Sequence, residues 1–139
     1  MGKTTDQLME NVSTLTSTPK DQELALLLTT GEQQTVSYLS MVLNDIGVKA
    51  KAMTGYQAGI KTIGHHLKSK IAEINPDTFN QAFENNDVLV VAGFQGINDE
   101  FELTTLGRGG SDTTAVALAA SNQIPVSYTH LTLPTIYSV

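Results

Sequence analysis

An arginine stands among three glycines in the segment TTLGRGGSDTTAVALAA, residues 104–120. Arg108 offers paired N–H donors that match a carboxylate, a geometry that lysine lacks. Ser111 or Asp112 would cap the helix that follows and leave its first N–H groups pointing outward. Glycine lets the backbone approach a ligand closely, and the glycines here are Gly107, Gly109 and Gly110. The segment predicts an anion-binding loop; the alternative is a flexible loop with a surface arginine.

Two common nucleotide-binding patterns are missing from this loop. It has neither the Gly-Lys-Ser/Thr ending of a P-loop nor the Gly-x-Gly-x-x-Gly spacing of a dinucleotide fingerprint. The adjacent His65 and His66 suggest a metal ion. Neighbouring side chains do not converge, however, and no acidic or cysteine partner stands at ligand spacing. We therefore predict a loop at these histidines and no metal held by the protein.

The composition is that of an ordinary globular domain with an acidic balance. The chain has 139 residues, with 14 acidic side chains, 8 basic ones and a net charge of −6. This balance argues against nucleic acid or an anionic membrane surface as a partner. No apolar run approaches the roughly 18 residues of a membrane span, and there is no cysteine. We expect a cytoplasmic protein without disulfides.

The first 47 residues are predicted to be mainly helical. Apolar residues recur at helical spacing from Thr5 to about Leu15, which predicts an amphipathic helix. Residues 17–47 predict a helical hairpin that breaks at Gly31, because glycine commonly ends helices. The second helix of this hairpin is expected to have one apolar face, formed by Val36, Leu39, Leu43 and Ile46.

Patterns typical of β-strands follow in the sequence, and they indicate where the glycine loop lies in the fold. Residues 48–54 alternate as a strand does, and residues 55–66 predict a glycine-punctuated loop. Asn75 is a predicted helix cap with Pro76 in the first turn. The apolar run DVLVVAG, residues 87–93, predicts a buried strand. Helices alternating with strands indicate an α/β fold with a mainly parallel sheet, in which ligands bind beyond the carboxyl ends of strands.

Five blocks of the sequence carry a family resemblance. They are MGKTTDQL, LLLTTGEQQTVSYLSM, MTGYQAGI, VVAGFQG and TTLGRGGSDTTAVALA, in that order. Residues 1 to about 125 thus resemble aspartate kinases of the amino acid kinase superfamily. The resemblance implies part of a three-layer αβα sandwich. It also implies transfer of phosphate from Mg-ATP to the side-chain carboxylate of L-aspartate, which gives 4-phospho-L-aspartate on the route to lysine, threonine and methionine.

The resemblance also implies roles for individual residues. Asp112 would orient a catalytic lysine, and the glycines around Arg108 would form the anion-binding loop. Glu32 would hold the substrate ammonium, although it could equally be a solvated glutamate in a first helical turn. Thr5 would touch the substrate, a role compatible with helix capping. The implied substrate-binding residues are Thr5, Glu32, Phe94, Arg108 and Ser111.

The sequence departs from the family pattern at both ends. The family's N-terminal Lys-Phe-Gly-Gly segment, with its catalytic lysine, is not present, and Lys3 is expected to face solvent instead. Residues 126–139 resemble sequencing-adaptor or vector read-through; a terminal strand or hairpin is the alternative. We therefore expect a partial catalytic domain over residues 1–125, a non-native tail, no C-terminal regulatory domains and little activity from this chain alone. The full-length enzyme would be a homo-oligomer.

Two further functional hypotheses remain open at this level. The first is a superfamily relative acting on glutamate, acetylglutamate or a nucleoside monophosphate; the segments TTLGRGGSD and TTGEQQ weigh against it. The second is a non-catalytic binding module. Binding of aspartate that depends on Arg108 would distinguish an aspartate kinase from such a module.

Overall fold

The computed structural model describes residues 2–107 and 109–123, which form four helices and six strands. The N-terminal elements are α1 (Gly2–Leu15), α2 (Asp21–Asp45), β1 (Ala50–Met53), β2 (Ile60–Ile63) and β3 (Lys70–Ile74). The C-terminal elements are α3 (Pro76–Phe83), β4 (Val88–Val91), β5 (Gln95–Ile97), β6 (Leu103–Thr105) and α4 (Gly110–Ser121). The predicted α/β class is confirmed. Arg108 and the predicted tail, residues 126–139, lie outside the described residues.

The strands form two groups. Strands β1 and β4 pair in parallel, with Ala50 opposite Val88 and Met53 opposite Val91. A second sheet has the order β3-β2-β5-β6, in which β2 and β5 are parallel and the two outer pairs are antiparallel. Helix α2 contacts β1, β4 and β6, while α3 contacts β4 and α4 contacts β3. The parallel strands therefore lie among helices from both halves of the chain.

The helical hairpin predicted around Gly31 is wrong, because α2 runs unbroken from Asp21 to Asp45. Glycine costs a helix interior only about 1 kcal/mol, and tertiary packing overrides that cost here. A Cβ atom at position 31 would lie 3.2 Å from Thr4 Cγ2 of α1. Gly31 thus marks the point where α1 crosses α2 closely. Glu32 consequently lies inside a long helix and not in a first turn.

The predicted apolar face of this helix is also wrong in part. Val36 is buried, but Leu39 and Ile46 are 47% and 69% exposed. The buried stripe of α2 begins further toward its N-terminus, and its members are Leu24, Ala25, Leu28, Thr29, Val36 and Ser40. The buried face therefore extends along the unbroken helix, with four residues in its first half and two, Val36 and Ser40, in its second.

A β-hairpin replaces the loop predicted for residues 55–66. Strand β2 pairs antiparallel with β3, and the register shifts between Lys61 and Thr62. Ile60 and Thr62 face inward and are fully buried, whereas Lys61 and Ile63 are exposed. Four alternating residues between two glycines gave too short a pattern to favour a strand. The histidines at positions 65 and 66 do lie in the following turn, as predicted.

Helix α3 begins as the sequence predicts. The Asn75 side chain accepts a hydrogen bond from the backbone N–H of Asp77 at 3.0 Å, and Pro76 lies in the first turn. The ring of Phe79 packs in a hydrophobic cluster with Ala58, Ile60 and Leu118. This cluster joins α3 and α4 to strand β2. The strand predicted at residues 87–93 is β4, and its residues are half-buried.

The start of α4 differs from the prediction. The helix begins at Gly110, and Gly109 is its N-cap with φ 79° and ψ 13°. Ser111 and Asp112 therefore lie in the first turn and not at the cap. Glycine adopts this left-handed conformation at no steric cost, and the N-cap lies two or three residues before the predicted Ser111 or Asp112. No helix in residues 2–107 and 109–123 is long and apolar enough to cross a membrane.

Candidate functional site

One small cavity collects residues from three helices and the loop before β5. Its volume is about 210 Å³. We call it the Glu32 cavity, and its lining residues are Thr5, Glu32, Phe94, Gly109, Gly110, Ser111 and Asp112. All seven were predicted as site residues from the sequence. They are up to 107 positions apart in the chain, so only folding brings them together.

The first turn of α4 forms one wall of the Glu32 cavity. No side chain caps this turn within the described residues. The first backbone N–H groups of an α-helix have no partner inside the helix, and they favour negative charge. Ser111 is exposed beside them, and the Asp112 side chain is half-buried. This wall can therefore accept an anionic group of a ligand, and anion binding by the glycine loop stays a prediction.

Gly110 lets this turn pack closely against the loop before β5. A Cβ atom at position 110 would lie 2.7 Å from Phe94 Cδ1 and 2.9 Å from Leu106 Cβ. A Cβ atom at Gly93 would lie 3.2 Å from the Cα atom of Ser111. Both glycines thus favour the close contact between the strand end and the helix start, and Gly110 does so more strongly. The contact closes one side of the cavity.

Phe94 has a backbone conformation that is rare for an aromatic residue, with φ 68°. Its N–H donates to Thr114 Oγ1 at 3.1 Å, and its carbonyl oxygen accepts from the Leu106 N–H at 2.9 Å. These two bonds hold the residue in the left-handed region. The Phe94 side chain is thereby directed to the cavity lining.

Glu32 and Thr5 form the opposite wall. Desolvation by the surrounding protein raises the pKa of the Glu32 carboxyl above its ordinary value. Thr5 comes from α1, which approaches α2 at Gly31. A carboxylate that has lost part of its hydration gains more from a bound cation than a fully solvated one does. Glu32 can therefore hold an ammonium group.

A buried hydroxyl network supports the strand that leads into the glycine loop. Thr104 Oγ1 lies 2.6 Å from Thr62 Oγ1 and 2.9 Å from Ser69 Oγ. The Ser69 hydroxyl also donates to the carbonyl oxygen of Thr105 at 2.9 Å. The network joins β6 to the β2–β3 hairpin and so fixes the point from which the loop departs.

The histidines contact carboxylates on different elements. His66 Nε2 lies 3.1 Å from Glu102 Oε2, and His65 Nε2 lies 2.9 Å from Asp21 Oδ2. Among the residues that the structure describes, no group of three or more histidine, aspartate or glutamate side chains could hold a metal ion. Each histidine therefore makes its own pair, and the two do not share a site.

Two predicted site residues are not found in the Glu32 cavity. Gly107 lines a neighbouring cavity of about 430 Å³ on the far side of Gly110. Arg108 lies outside the described residues, so its contact with a substrate stays a prediction. Lys3 is exposed, as predicted. A larger cavity of about 490 Å³ lies near Lys51, Tyr56 and Lys61 and contains none of the predicted site residues.

Sequence reasoning missed the residues that support the cavity from behind. Gln95 is fully buried and Thr114 is 2% exposed, and neither was identified as a site residue. The available signals were weak: a glutamine at the start of a short strand, and a threonine one turn into an apolar helix. Glutamine and threonine are common at protein surfaces, so only the burial of Gln95 and Thr114 indicates that they have a structural role.

The amino acid kinase family model matches residues 1–125 of the chain. The chain is 47% identical to Aspartokinase 2 of Bacillus subtilis over 121 residues, which are 87% of this chain and 30% of that protein. It is 48% identical to the aspartokinase of Thermus thermophilus over 121 residues, with the same coverage of both chains. The chain thus spans about 30% of the length of the curated relatives it matches.

Solved aspartate kinases have the same fold over the shared part. Aspartokinase III of E. coli, in complex with aspartate and ADP, superposes with a TM-score of 0.70 at 23% identity, over 88% of this chain and 29% of that one. The aspartate kinase of Synechocystis superposes with a TM-score of 0.68 at 41% identity, over 89% and 20%. The amino acid kinase fold predicted from the sequence is confirmed for the part that the chain covers.

Proposed function

The chain belongs to the amino acid kinase family, and on this basis we propose that it carries the aspartate-binding part of an aspartate kinase. The proposed reaction is ATP-dependent phosphorylation of the side-chain carboxylate of L-aspartate to 4-phospho-L-aspartate, the first step toward lysine, threonine and methionine. The observation that carries the proposal is the Glu32 cavity, which gathers seven of the residues that the family resemblance implied. The aspartokinases that match the chain support the same substrate.

The two walls of the cavity suit the two charges of an amino acid. The Glu32 carboxylate would hold the α-ammonium group, whose positive charge compensates the desolvation of this side chain. We propose that Arg108 binds the α-carboxylate through its paired N–H donors, which would come from the loop between Gly107 and Gly109. The cavity of about 210 Å³ is smaller than the roughly 300–1,000 Å³ of pockets for drug-sized ligands, which suits a small amino acid.

The side chain of aspartate would then face the first turn of α4. Its carboxylate is already a nucleophile, so the transfer needs positioning and charge neutralisation and no general base. The first N–H groups of this turn, which no described side chain caps, fit a phosphoryl group or a carboxylate at this place. ATP with Mg²⁺ supplies the phosphoryl group when bound. We propose that Asp112 orients a lysine of the complete enzyme toward that group.

Calorimetry with L-aspartate tests this proposal. We expect Arg108→Ala to weaken binding by about 10- to 100-fold, because a hydrogen bond to a charged group contributes about 1.5–3 kcal/mol. Arg108→Lys should recover only part of the affinity, since lysine lacks the paired donors. Lys49→Ala removes an exposed cation that does not line the Glu32 cavity, and this control should bind as the wild type does.

Ligand specificity distinguishes the proposal from its alternatives. Tighter binding of glutamate, acetylglutamate or a nucleoside monophosphate than of aspartate would identify a different family member. Absence of any aspartate binding would contradict the proposal. An assay of phosphoryl transfer with the chain alone tests the expectation of low activity.

A further inference from the structure

The Gln95 side chain binds to α2, which carries Glu32, and the adjacent Phe94 lines the Glu32 cavity. The Gln95 side chain is completely buried, and it reaches α2 and the turn after β1. Its Nε2 donates to the carbonyl oxygen of Thr29 at 3.0 Å. Its Oε1 accepts from the backbone N–H of Gly55 at 3.4 Å and lies 3.5 Å from Gln33 Nε2. On the basis of the proposed function, we propose that Gln95 is a positioning residue. It fixes the position of Glu32 relative to the first turn of α4.

The orientation of the Gln95 amide follows from its partners. The carbonyl oxygen of Thr29 can only accept a hydrogen bond, and the N–H of Gly55 can only donate one. The amide must therefore turn its nitrogen to α2 and its oxygen to the turn. A carboxylate has no donor for Thr29, and a hydrocarbon side chain serves neither partner. Glutamine satisfies both partners with one group.

Close packing makes this connection rigid. A Cβ atom at Gly55 would overlap the carbonyl oxygen of Gln95 and would lie 3.1 Å from its Cγ atom. The turn thus approaches Gln95 as closely as only glycine permits. Thr29 lies one helical turn before Glu32 and is itself fully buried. A shift of the Gln95 side chain would therefore move the segment of α2 that carries Glu32.

The backbone next to Gln95 anchors the other wall. Phe94 bonds to Thr114 of α4 through its N–H and to Leu106 through its carbonyl oxygen. Consecutive residues thus reach both sides of the cavity: Phe94 reaches the glycine loop and α4, and Gln95 reaches α2. The distance between the ammonium-binding carboxylate and the anion-binding turn is set through these two residues.

A double-mutant cycle with L-aspartate calorimetry tests this role. Gln95→Leu keeps a side chain of similar size but removes both hydrogen-bonding atoms. We expect it to weaken aspartate binding by about 10- to 100-fold, as misplacement of a binding group does. If Gln95 acts through Glu32, the double variant Gln95→Leu/Glu32→Gln should bind no more weakly than Glu32→Gln alone. The matched control is Gln34→Leu, because Gln34 is an exposed glutamine of α2, the helix that carries Glu32.

Several outcomes would overturn the inference. Wild-type affinity in Gln95→Leu, or losses that multiply in the double variant, would show that Gln95 does not act through Glu32. Gln95→Met has an unbranched side chain without a hydrogen-bond donor, and it covers the case in which the leucine variant fails to fold; wild-type affinity in this variant would contradict the need for a donor to Thr29.

Hydrogen exchange separates this inference from the proposed function. If the wild-type chain does not bind aspartate, the proposed function fails, and amide exchange becomes the measurement. Gln95→Leu should accelerate exchange at Gly55 and along residues 29–33 of α2, relative to Gln34→Leu. Unchanged protection at these amides would overturn the positioning role as well.

Discussion

The hydroxyl group of Thr114 links the backbone of Phe94 to the start of helix α4. It accepts from the Phe94 N–H at 3.1 Å and donates to the carbonyl oxygen of Gly110 at 2.7 Å. One buried side chain thereby joins the residue with positive φ to the turn that faces the Glu32 cavity. The geometry of the cavity wall depends on this hydroxyl.

Replacing Thr114 by valine should therefore be costly, although the two side chains have the same shape. The Phe94 N–H would be left without a partner in a partly buried place, and the full cost of about 1–3 kcal/mol for a buried group is an upper bound. Urea unfolding followed by circular dichroism measures the loss. Thr114→Ser keeps the hydroxyl group and should lose clearly less stability than Thr114→Val. Equal losses of stability in the two variants would show that the methyl group matters and not the hydrogen bonds.

A methyl group at Gly110 should also destabilise the protein. The added Cβ atom would lie 2.7 Å from Phe94 Cδ1 and 2.9 Å from Leu106 Cβ. Overpacking of this kind costs about 1–3 kcal/mol, and we expect Gly110→Ala to lower the free energy of unfolding accordingly. Gly107→Ala is the control, because among the described residues no atom beyond its chain neighbours lies within 4 Å of its added Cβ. Similar unfolding curves for both variants would contradict the close contact.

Aspartate binding should depend on pH through Glu32. Desolvation raises the pKa of its carboxyl above the ordinary value, and the charged form is the one that holds an ammonium group. Affinity should be complete above this raised pKa and should fall as pH decreases through it. Calorimetry at several pH values measures the effect. The Glu32→Gln variant should bind aspartate weakly, and its affinity should lack this pH dependence. The same pH dependence in both variants would assign it to another group.

The raised pKa of Glu32 has an opposite consequence for the free protein. The folded state binds this proton more tightly than the unfolded chain does, so the carboxyl lowers the free energy of unfolding as pH rises from the ordinary pKa through the raised one. Urea unfolding without ligand over this range should show the decrease in the wild type. The Glu32→Gln variant should show a smaller decrease in the free energy of unfolding.

The hydroxyl network behind β6 should contribute to stability. Thr104→Val would leave the hydroxyl groups of Thr62 and Ser69 without their shared partner. A buried polar group without a partner costs about 1–3 kcal/mol, and thermal unfolding should show the loss. Thr104→Ser preserves the shared oxygen and should behave nearly as the wild type does. An equally stable valine variant would mean that water replaces the missing partner.

The N-cap of α3 offers a test at a distance from the cavity. Asn75→Ala removes the acceptor for the Asp77 N–H and should cost about 1 kcal/mol. Asn75→Asp keeps an acceptor and should retain most of the stability. Aspartate binding should be unaffected by both substitutions, and an affinity change in either would connect α3 to the site.

Local patterns in the sequence were sufficient where one segment decides its own structure. The Asn75 cap, the strand at residues 87–93 and the helix after the glycine loop were predicted because capping, apolar runs and glycine act over a few residues. The same reasoning failed at Gly31. A glycine can end a helix or admit a neighbouring helix, and the choice depends on α1, which is distant in sequence.

The sequence by itself determined the α/β class, the family resemblance and the identity of the residues around the proposed site. The class follows from local patterns of residue types, and the roles of the residues at the proposed site are what the resemblance of five sequence blocks implies. Only the tertiary structure decided that Thr5, Glu32, Phe94 and the start of α4 share one cavity. It also decided that the buried side chains of Gln95 and Thr114 hold the cavity together. Those contacts join residues up to 66 positions apart, and no local pattern encodes which distant carbonyl a buried amide will meet.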